Sequence, residues 1–156
     1  MKIYVASSWR NLWQPGIVSL LQSAGHEVYD FRHPKEGDDG FSWSEIDPAW
    51  KDWTPYVYRE ALKHPLAEAG FSLDMNALRW CDACVLVQPC GNSSHLELGW
   101  ACGAGKRGAV YFPEATHQRE DAVLNERLKT IEPELMVKMA GHVLVGSAEL
   151  LEWCAR

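Results

Sequence analysis

A chain of 156 residues with a net charge of −6, 47% hydrophobic and 23% charged, has the size and balance of one ordinary domain. The acidic balance excludes a general nucleic-acid binder, whose surface is basic, but not a small anionic ligand, which needs only a few local donors. No run approaches the roughly 18 apolar residues of a membrane span, "MKIYVASSWRNLW" lacks the shape of a signal peptide, and five cysteines, an odd number, fit a reduced cytoplasmic protein.

In chain order, 2–7 (KIYVAS) is an apolar run ending in small polar residues, which predicts a buried first strand. Over 12–24, Leu12, Ile17, Leu20 and Leu21 recur at helical spacing. Pro15 suits a first turn and Gly25 a stop, so this helix is predicted to start near residue 14. The alternation in 26–31 (HEVYDF) predicts the second strand. Residues 32–56 mix Gly, Pro, Asp and Trp without a period. Long irregular segments of a compact domain are functional or flexible, and Trp43, Trp50 and Trp53 argue against flexibility. We read an excursion with short helices, folded over one end of the sheet.

Helix is predicted at 57–63 and again after Pro65, where Leu66, Ala69, Leu73, Ala77 and Trp80 form an apolar stripe. The run 83–89 is nearly all apolar, as in a strand buried on both faces. Further on, 94–105 reads as helix, 108–112 as strand and 132–140 as a short helix. The last strand is predicted at 142–146, and a terminal helix capped by Ser147 at 147–155. Alternating strand and helix predicts an α/β fold. The expected form is flavodoxin-like or Rossmann-like, with about five parallel strands, helices on both faces, and one domain over 1–156. Such sheets bind ligands at the carboxyl ends of their strands. Ser7, Ser8 and Arg10 follow the first strand there, and Gly91, Asn92, Ser93 and Ser94 follow the third.

Cys81 and Cys84 form a C-x-x-C that leads into a strand, whereas the redox motif opens a helix. Zinc would need two more ligands, and Cys90 and Cys102 form no second pair. Buried structural thiols are expected. His33 and His64 flank the excursion without metal spacing. No metal and no cofactor is expected.

Glu97 has two readings. Ser94-x-x-Glu97 is a capping box, which satisfies backbone donors. Alternatively, a carboxylate near a helix N-terminus is held ionised by the dipole and is positioned for attack on a sugar carbon. Gly91 and Gly99 would permit close backbone approach.

The stretch "PCGNSSHLELGWACGAGK" resembles the signature of the nucleoside 2-deoxyribosyltransferase-like superfamily, which includes deoxyribosyltransferases and 5'-monophosphate N-glycosidases. "KIYVASSW" and "FSLDMNALRWCDACVLV" resemble its first strand and loop and its helix and strand before the signature. The three segments cover about half the chain in the right order. The resemblance implies that Glu97 is the nucleophile, that Asp74 helps move a proton to the leaving base, and that Tyr4 orients the glutamate. It implies a structural role for Asp82, and sugar or phosphate contacts from Ser93 and Ser94. It also implies a homo-oligomer with shared sites, for which 133–141 (PELMVKMAG) offers adaptable methionines. Without the resemblance, Asp74 reads as a solvated helix residue and Tyr4 as core. The chemistry suits these types: one carboxylate traps the cationic sugar, and a second carboxyl protonates the base.

One departure stands out. Deoxyribosyltransferases acting on free nucleosides carry an acidic residue early in the loop that here reads "CGNS". A neutral loop of hydroxyls and N–H groups at a helix start is an anion site, to which Arg10 can add a bidentate contact. That shifts the expectation toward a 5'-phosphate. The expected partner is therefore a small nucleoside or nucleotide, not a nucleic-acid polymer or a membrane. Trp43, Trp50 and Trp53 are core or interface anchors, or else a stacking wall for a base. His95 pairs with phosphate or caps the helix. Two rivals remain: a non-enzymatic nucleotide-binding or sensing module on the same fold, and a flavodoxin-like cofactor binder.

Overall fold

The computed structural model describes residues 1–113 and 134–156. Its strands are β1 (Lys2–Ala6), β2 (Glu27–Asp30), β3 (Ala83–Val87), β4 (Arg107–Phe112) and β5 (Val143–Val145). Its α-helices are α1 (Gln14–Ser23), α2 (Pro55–Ala61), α3 (Pro65–Trp80), α4 (Asn92–Gly103) and α5 (Gly146–Ala155). Three 3-10 helices add Trp43–Glu45, Trp50–Asp52 and Leu135–Ala140.

All strand pairs are parallel, in the order β2-β1-β3-β4-β5. This is the flavodoxin-like order, with its switch point between β1 and β3. Side chains alternate across a strand, so each inner strand feeds two cores. Ile3, Val5, Val85 and Val87 pack under α1 and α5, against Leu21, Leu150 and Trp153. Tyr4, Ala6, Cys84 and Leu86 pack under α3 and α4, against Leu78, Leu98 and Ala101. Burial on both faces explains why β3 is apolar at every position.

The excursion does hold short helices. Ser42 caps the first: its Oγ accepts from the Ser44 N–H, and the Glu45 carboxylate accepts from the Ser42 N–H at 2.8 Å. Gly40, at φ +74°, lies where a Cβ would strike the Phe31 carbonyl, beside the Trp9 ring. Gly70 of α3 leaves room for Phe41, whose Cβ would stand 2.8 Å from an added methyl. The excursion is thus pinned both to the carboxyl end of the sheet and to α3.

Several expectations need correction. The buried face of α3 is Ala67, Ala77 and Leu78, while Leu66 and Trp80 of the expected stripe remain 41% and 38% exposed. The stripe through 67, 70, 74, 77 and 78 contains Gly70 and Asp74, so apolarity does not mark it. Helix α4 starts at Asn92 with Gly91 as its N-cap and no capping side chain. Ser94 is therefore inside the helix, and the Ser94–Glu97 capping box does not form. Ser147 does not cap α5; Val145 occupies the cap, and its N–H donates to Glu149 Oε2 at 2.7 Å. The helix expected over 132–140 is the 3-10 helix Leu135–Ala140, and residues 132 and 133 lie outside the described residues. A Cβ at Gly91 or Gly99 would meet nothing within 4 Å, so no described part of the protein packs closely on either.

Candidate active site

Parallel pairing sets Tyr4 opposite both Tyr29 of β2 and Cys84 of β3. Their side chains share the sheet face that α3 and α4 cover. Tyr4 and Tyr29 stack, with ring centroids 5.1 Å apart and planes at 23°. The Tyr29 hydroxyl donates to Asp74 Oδ1 at 2.8 Å. Helix α3 brings Asp74 inward on its buried stripe, and α4 brings Glu97 from the opposite side. The two carboxyls stand close enough that Asp74 raises the Glu97 pKa by charge repulsion. Two acids and two phenols, remote in sequence, therefore converge on one patch.

The electrostatics follow from burial. The protein around Glu97 pushes its pKa up to about 8, with Asp74 adding to the rise and Tyr4 opposing it. Glu97 keeps some open surface, so depth of protein, rather than full closure, drives the shift. The helix dipole, read from sequence, is expected to keep this carboxylate ionised. It does not, because the dipole acts within the first turn and Glu97 is the sixth residue of α4. Burial also raises Asp74, while the Tyr29 hydroxyl holds it down. Two carboxyls this close titrate as a pair.

Both phenols stay protonated. Burial, then Glu97 and Asp74, lift Tyr4 well above the ordinary tyrosine range. Burial, then Asp74, lifts Tyr29 likewise. The Tyr4 hydroxyl is buried and makes no well-formed hydrogen bond among the described residues. It nevertheless lies near enough to Glu97 to lower that carboxyl's pKa. A buried phenol aimed at a carboxyl is a donor available to an ionised Glu97.

The loops after β1 and β3 are laced together. Ser7 Oγ donates to the Val87 carbonyl at 2.9 Å. Asn11 Nδ2 donates to Ser7 Oγ at 2.9 Å and to the Val87 carbonyl at 3.2 Å. Ser94 Oγ donates to the Ser7 carbonyl. Ser7 and Ser94 are buried, and their hydroxyls donate inward, between the loops. Ser8 Oγ accepts from the Arg10 N–H at 3.2 Å, and Arg10 itself is exposed. Asn92 and Ser93 are exposed in the first turn of α4, and His95 Nδ1 lies 3.2 Å from the Gly91 carbonyl. Asp82 joins two strand starts: its Oδ2 accepts from the Lys2 N–H at 2.9 Å, and its own N–H donates to the Lys2 carbonyl at 2.8 Å.

Two residues were missed from sequence. Tyr29 reads there as an ordinary strand residue; its one clue is that it alternates in phase with Asp30 pointing away. Arg32 donates through Nη2 to the carbonyls of Ser8, Trp9 and Asn11, at 3.1, 2.9 and 2.9 Å. It therefore holds the first loop, which carries Arg10.

Cys81 and Cys84 are buried, and Cys81 Sγ contacts the Leu78 carbonyl at 3.2 Å. No group of three or more His, Cys, Asp or Glu able to hold a metal occurs among the described residues. No helix among the described residues is long and apolar enough to cross a membrane.

No protein-family model and no curated protein matches the chain. Among solved structures, the chain is similar to the CMP N-glycosidase BcmB of Clostridium botulinum. The identity is 15% over 99% of this chain and 98% of that one, with a TM-score of 0.47. It is also similar to a 2-deoxyribosyltransferase from Bacillus psychrosaccharolyticus. There the identity is 18% over 89% of this chain and 96% of that one, with a TM-score of 0.42. At these identities and TM-scores the likeness carries no chemistry, which is read from the side chains of the site.

Proposed function

We propose that the protein cleaves or transfers at the N-glycosidic bond of a (deoxy)nucleoside or nucleoside 5'-monophosphate, through a covalent glycosyl-glutamate on Glu97. The observation that supports this is the coupled pair of buried carboxyls, Glu97 and Asp74, with a phenol beside each. Between its two macroscopic pKa values such a pair holds one proton. One acid and one carboxylate is the inventory the reaction needs.

In the productive arrangement the proton is on Asp74. A Glu97 oxygen attacks the anomeric carbon as the C–N bond breaks. The bonding electrons leave with the base, which takes the proton from Asp74. Asp74, now a carboxylate, deprotonates water or a second base. That nucleophile displaces Glu97 from the sugar and restores the pair. Tyr4 donates to Glu97 while it is charged, and Tyr29 orients Asp74. Incubating the protein with a panel of nucleosides and 5'-monophosphates, and separating released base by chromatography, tests the proposal. Absence of release across the panel rejects it. A non-enzymatic nucleotide-binding module then moves ahead, a reading favoured by the burial that raises the Glu97 pKa.

The exposed donors at the start of α4, Asn92 and Ser93, together with Arg10 and the uncapped N–H groups, support a 5'-phosphate subsite. Hydrogen bonds to a charged group contribute roughly 1.5–3 kcal/mol each. A 5'-monophosphate is expected to bind Glu97→Ala protein at least about tenfold more tightly than the matching nucleoside, by calorimetry at fixed ionic strength. Equal affinities would mean that the loop reads sugar hydroxyls instead.

We also propose a homo-oligomer in a reducing, cytoplasmic setting, the latter suited to five free thiols. Leu96 of α4 and Leu135, Met136 and Met139 of the adjoining 3-10 helix are 76%, 81%, 66% and 52% exposed. Leu96, Met136 and Met139 border a hollow of about 440 Å³ between the two elements. Apolar surface of this kind marks an interaction site. Sedimentation is expected to show a multiple of 17.6 kDa, and Met136→Asp is expected to shift it toward monomer. A wild-type monomer at micromolar concentration rejects the idea.

A further inference from the structure

We propose that the hollow walled by Trp43, Trp50, Trp53 and Tyr58 is an aromatic cage for a quaternary or methylated ammonium group. None of these residues takes part in the Glu97–Asp74 pair, so the proposal stands apart from the glycosidic reading. The hollow measures about 330 Å³, and Thr54 and Pro55 complete its lining.

The first argument is shape. Trp43 meets Trp53 at 5.5 Å between centroids and Tyr58 at 5.7 Å, each at an interplanar angle of 74°. Walls set nearly at right angles do not favour a flat ligand, which stacks on one face and leaves the others unfilled. A compact tetrahedral cation meets all of them. Ring faces that border the hollow would attract such a charge through their quadrupole.

The second argument is charge. Lys51 Nζ already lies 5.8 Å from the Trp50 ring centroid, and the Arg59 guanidinium lies 5.6 Å from that of Tyr56. Ring faces in this segment therefore attract cations. Trp53 Nε1 donates to Asp47 Oδ2 at 2.5 Å. That bond and one from the Ala49 N–H hold the Asp47 carboxyl below the ordinary range, so it is an anion at neutral pH. An indole N–H bound to an anion has a more electron-rich face. Trp53 is also the partition between the hollow and a second depression that includes Asp47, Tyr56 and Glu60. Acidic residues outnumber basic ones between Glu36 and Glu60, which favours a cationic guest over an anionic one.

The test is calorimetry with the full chain. The probes are choline, its uncharged carbon isostere in which a tert-butyl group replaces trimethylammonium, and free cytosine. Choline is expected to bind saturably, roughly tenfold more tightly than the isostere. Trp53→Phe and Asp47→Asn should each weaken choline and leave the isostere little changed, with circular dichroism confirming the fold. Should Trp53→Phe fail to fold, Trp50→Ala removes a different wall and carries the same expectation. Equal affinity for choline and its isostere would reduce the hollow to a plain apolar recess. Binding of cytosine without choline would make it a wall for a base. Absence of saturable choline binding by folded protein would make the rings internal packing. Each of these three results overturns the proposal.

Discussion

Glu97→Gln is expected to lower base release on the order of a thousandfold or more, and to make the folded protein more stable at alkaline pH. The first effect follows because an amide neither traps the sugar nor stabilises its charge. The second follows from burial. The native pKa of Glu97, about 8, stands above the ordinary carboxylate value of 4.5. Below that ordinary value the group is protonated in both states and has no effect. As pH rises the unfolded chain ionises first, so stability is lost progressively until the native group also ionises near pH 8. The substituted amide has no proton to lose. Above about pH 8 the variant should therefore exceed the wild type by on the order of 2–4 kcal/mol. A residual slope will remain, since Asp74 is raised too. Chemical denaturation at pH values from about 5 to 9 measures this directly. Near-normal turnover in the variant would sink the nucleophile assignment. Parallel stability curves for the two proteins would sink the buried-acid assignment.

Asp74→Asn should cost about 10²–10⁴-fold in turnover of ordinary nucleosides or nucleotides, the usual contribution of a positioned general acid. Substrates whose base departs without protonation should lose far less. The rate profile should change shape as well. In the wild type the rate falls once the pair loses its last proton, at the upper macroscopic pKa. In the Asp74→Asn variant that basic limb should disappear. The acidic limb should then report Glu97 alone, now below about 8 because the neighbouring charge that raised it is gone. Tyr29→Phe removes the hydroxyl that holds Asp74 down, so it should move the basic limb upward and cost about tenfold. An unchanged profile in Asp74→Asn would place the proton donor elsewhere, and in Tyr29→Phe would leave Tyr29 a packing residue.

The sheet was legible because its signal is local. The runs at 83–89 and 108–112 are apolar enough to be read alone, and β1 ends in small polar residues where a loop begins. The face of α3 was not legible, because Asp74 and Gly70 lie on the buried stripe and depress its hydrophobicity. The start of α4 was ambiguous for a related reason. "GNSS" offers four acceptable caps in succession, and the choice fell to Gly91 because Ser94 is drawn inward to the Ser7 carbonyl. The resemblance pointed to Glu97, Asp74 and Tyr4, and the fold brings these three together. It gave no warning of Tyr29, whose neighbourhood exists only after β2 pairs with β1. The titration of Glu97 was misread because the dipole is visible from sequence and desolvation is not. Arg32 lay in a segment without periodicity, where nothing marks one cation above another.

The lacing of the two loops divides the polar residues near strands β1 and β3 by their freedom to vary. Ser7, Asn11 and Ser94 direct their hydrogen bonds to each other and to strand ends, across the crevice where this fold usually admits a ligand. Changing any of them leaves a buried partner unmet, so new substrate range is not expected to arise there. The side chains of Arg10, Asn92 and Ser93 take no part in that lacing. A combinatorial library confined to those three positions should yield mostly folded members, and selection on it would sort variants by what they recognise instead of by whether they survive.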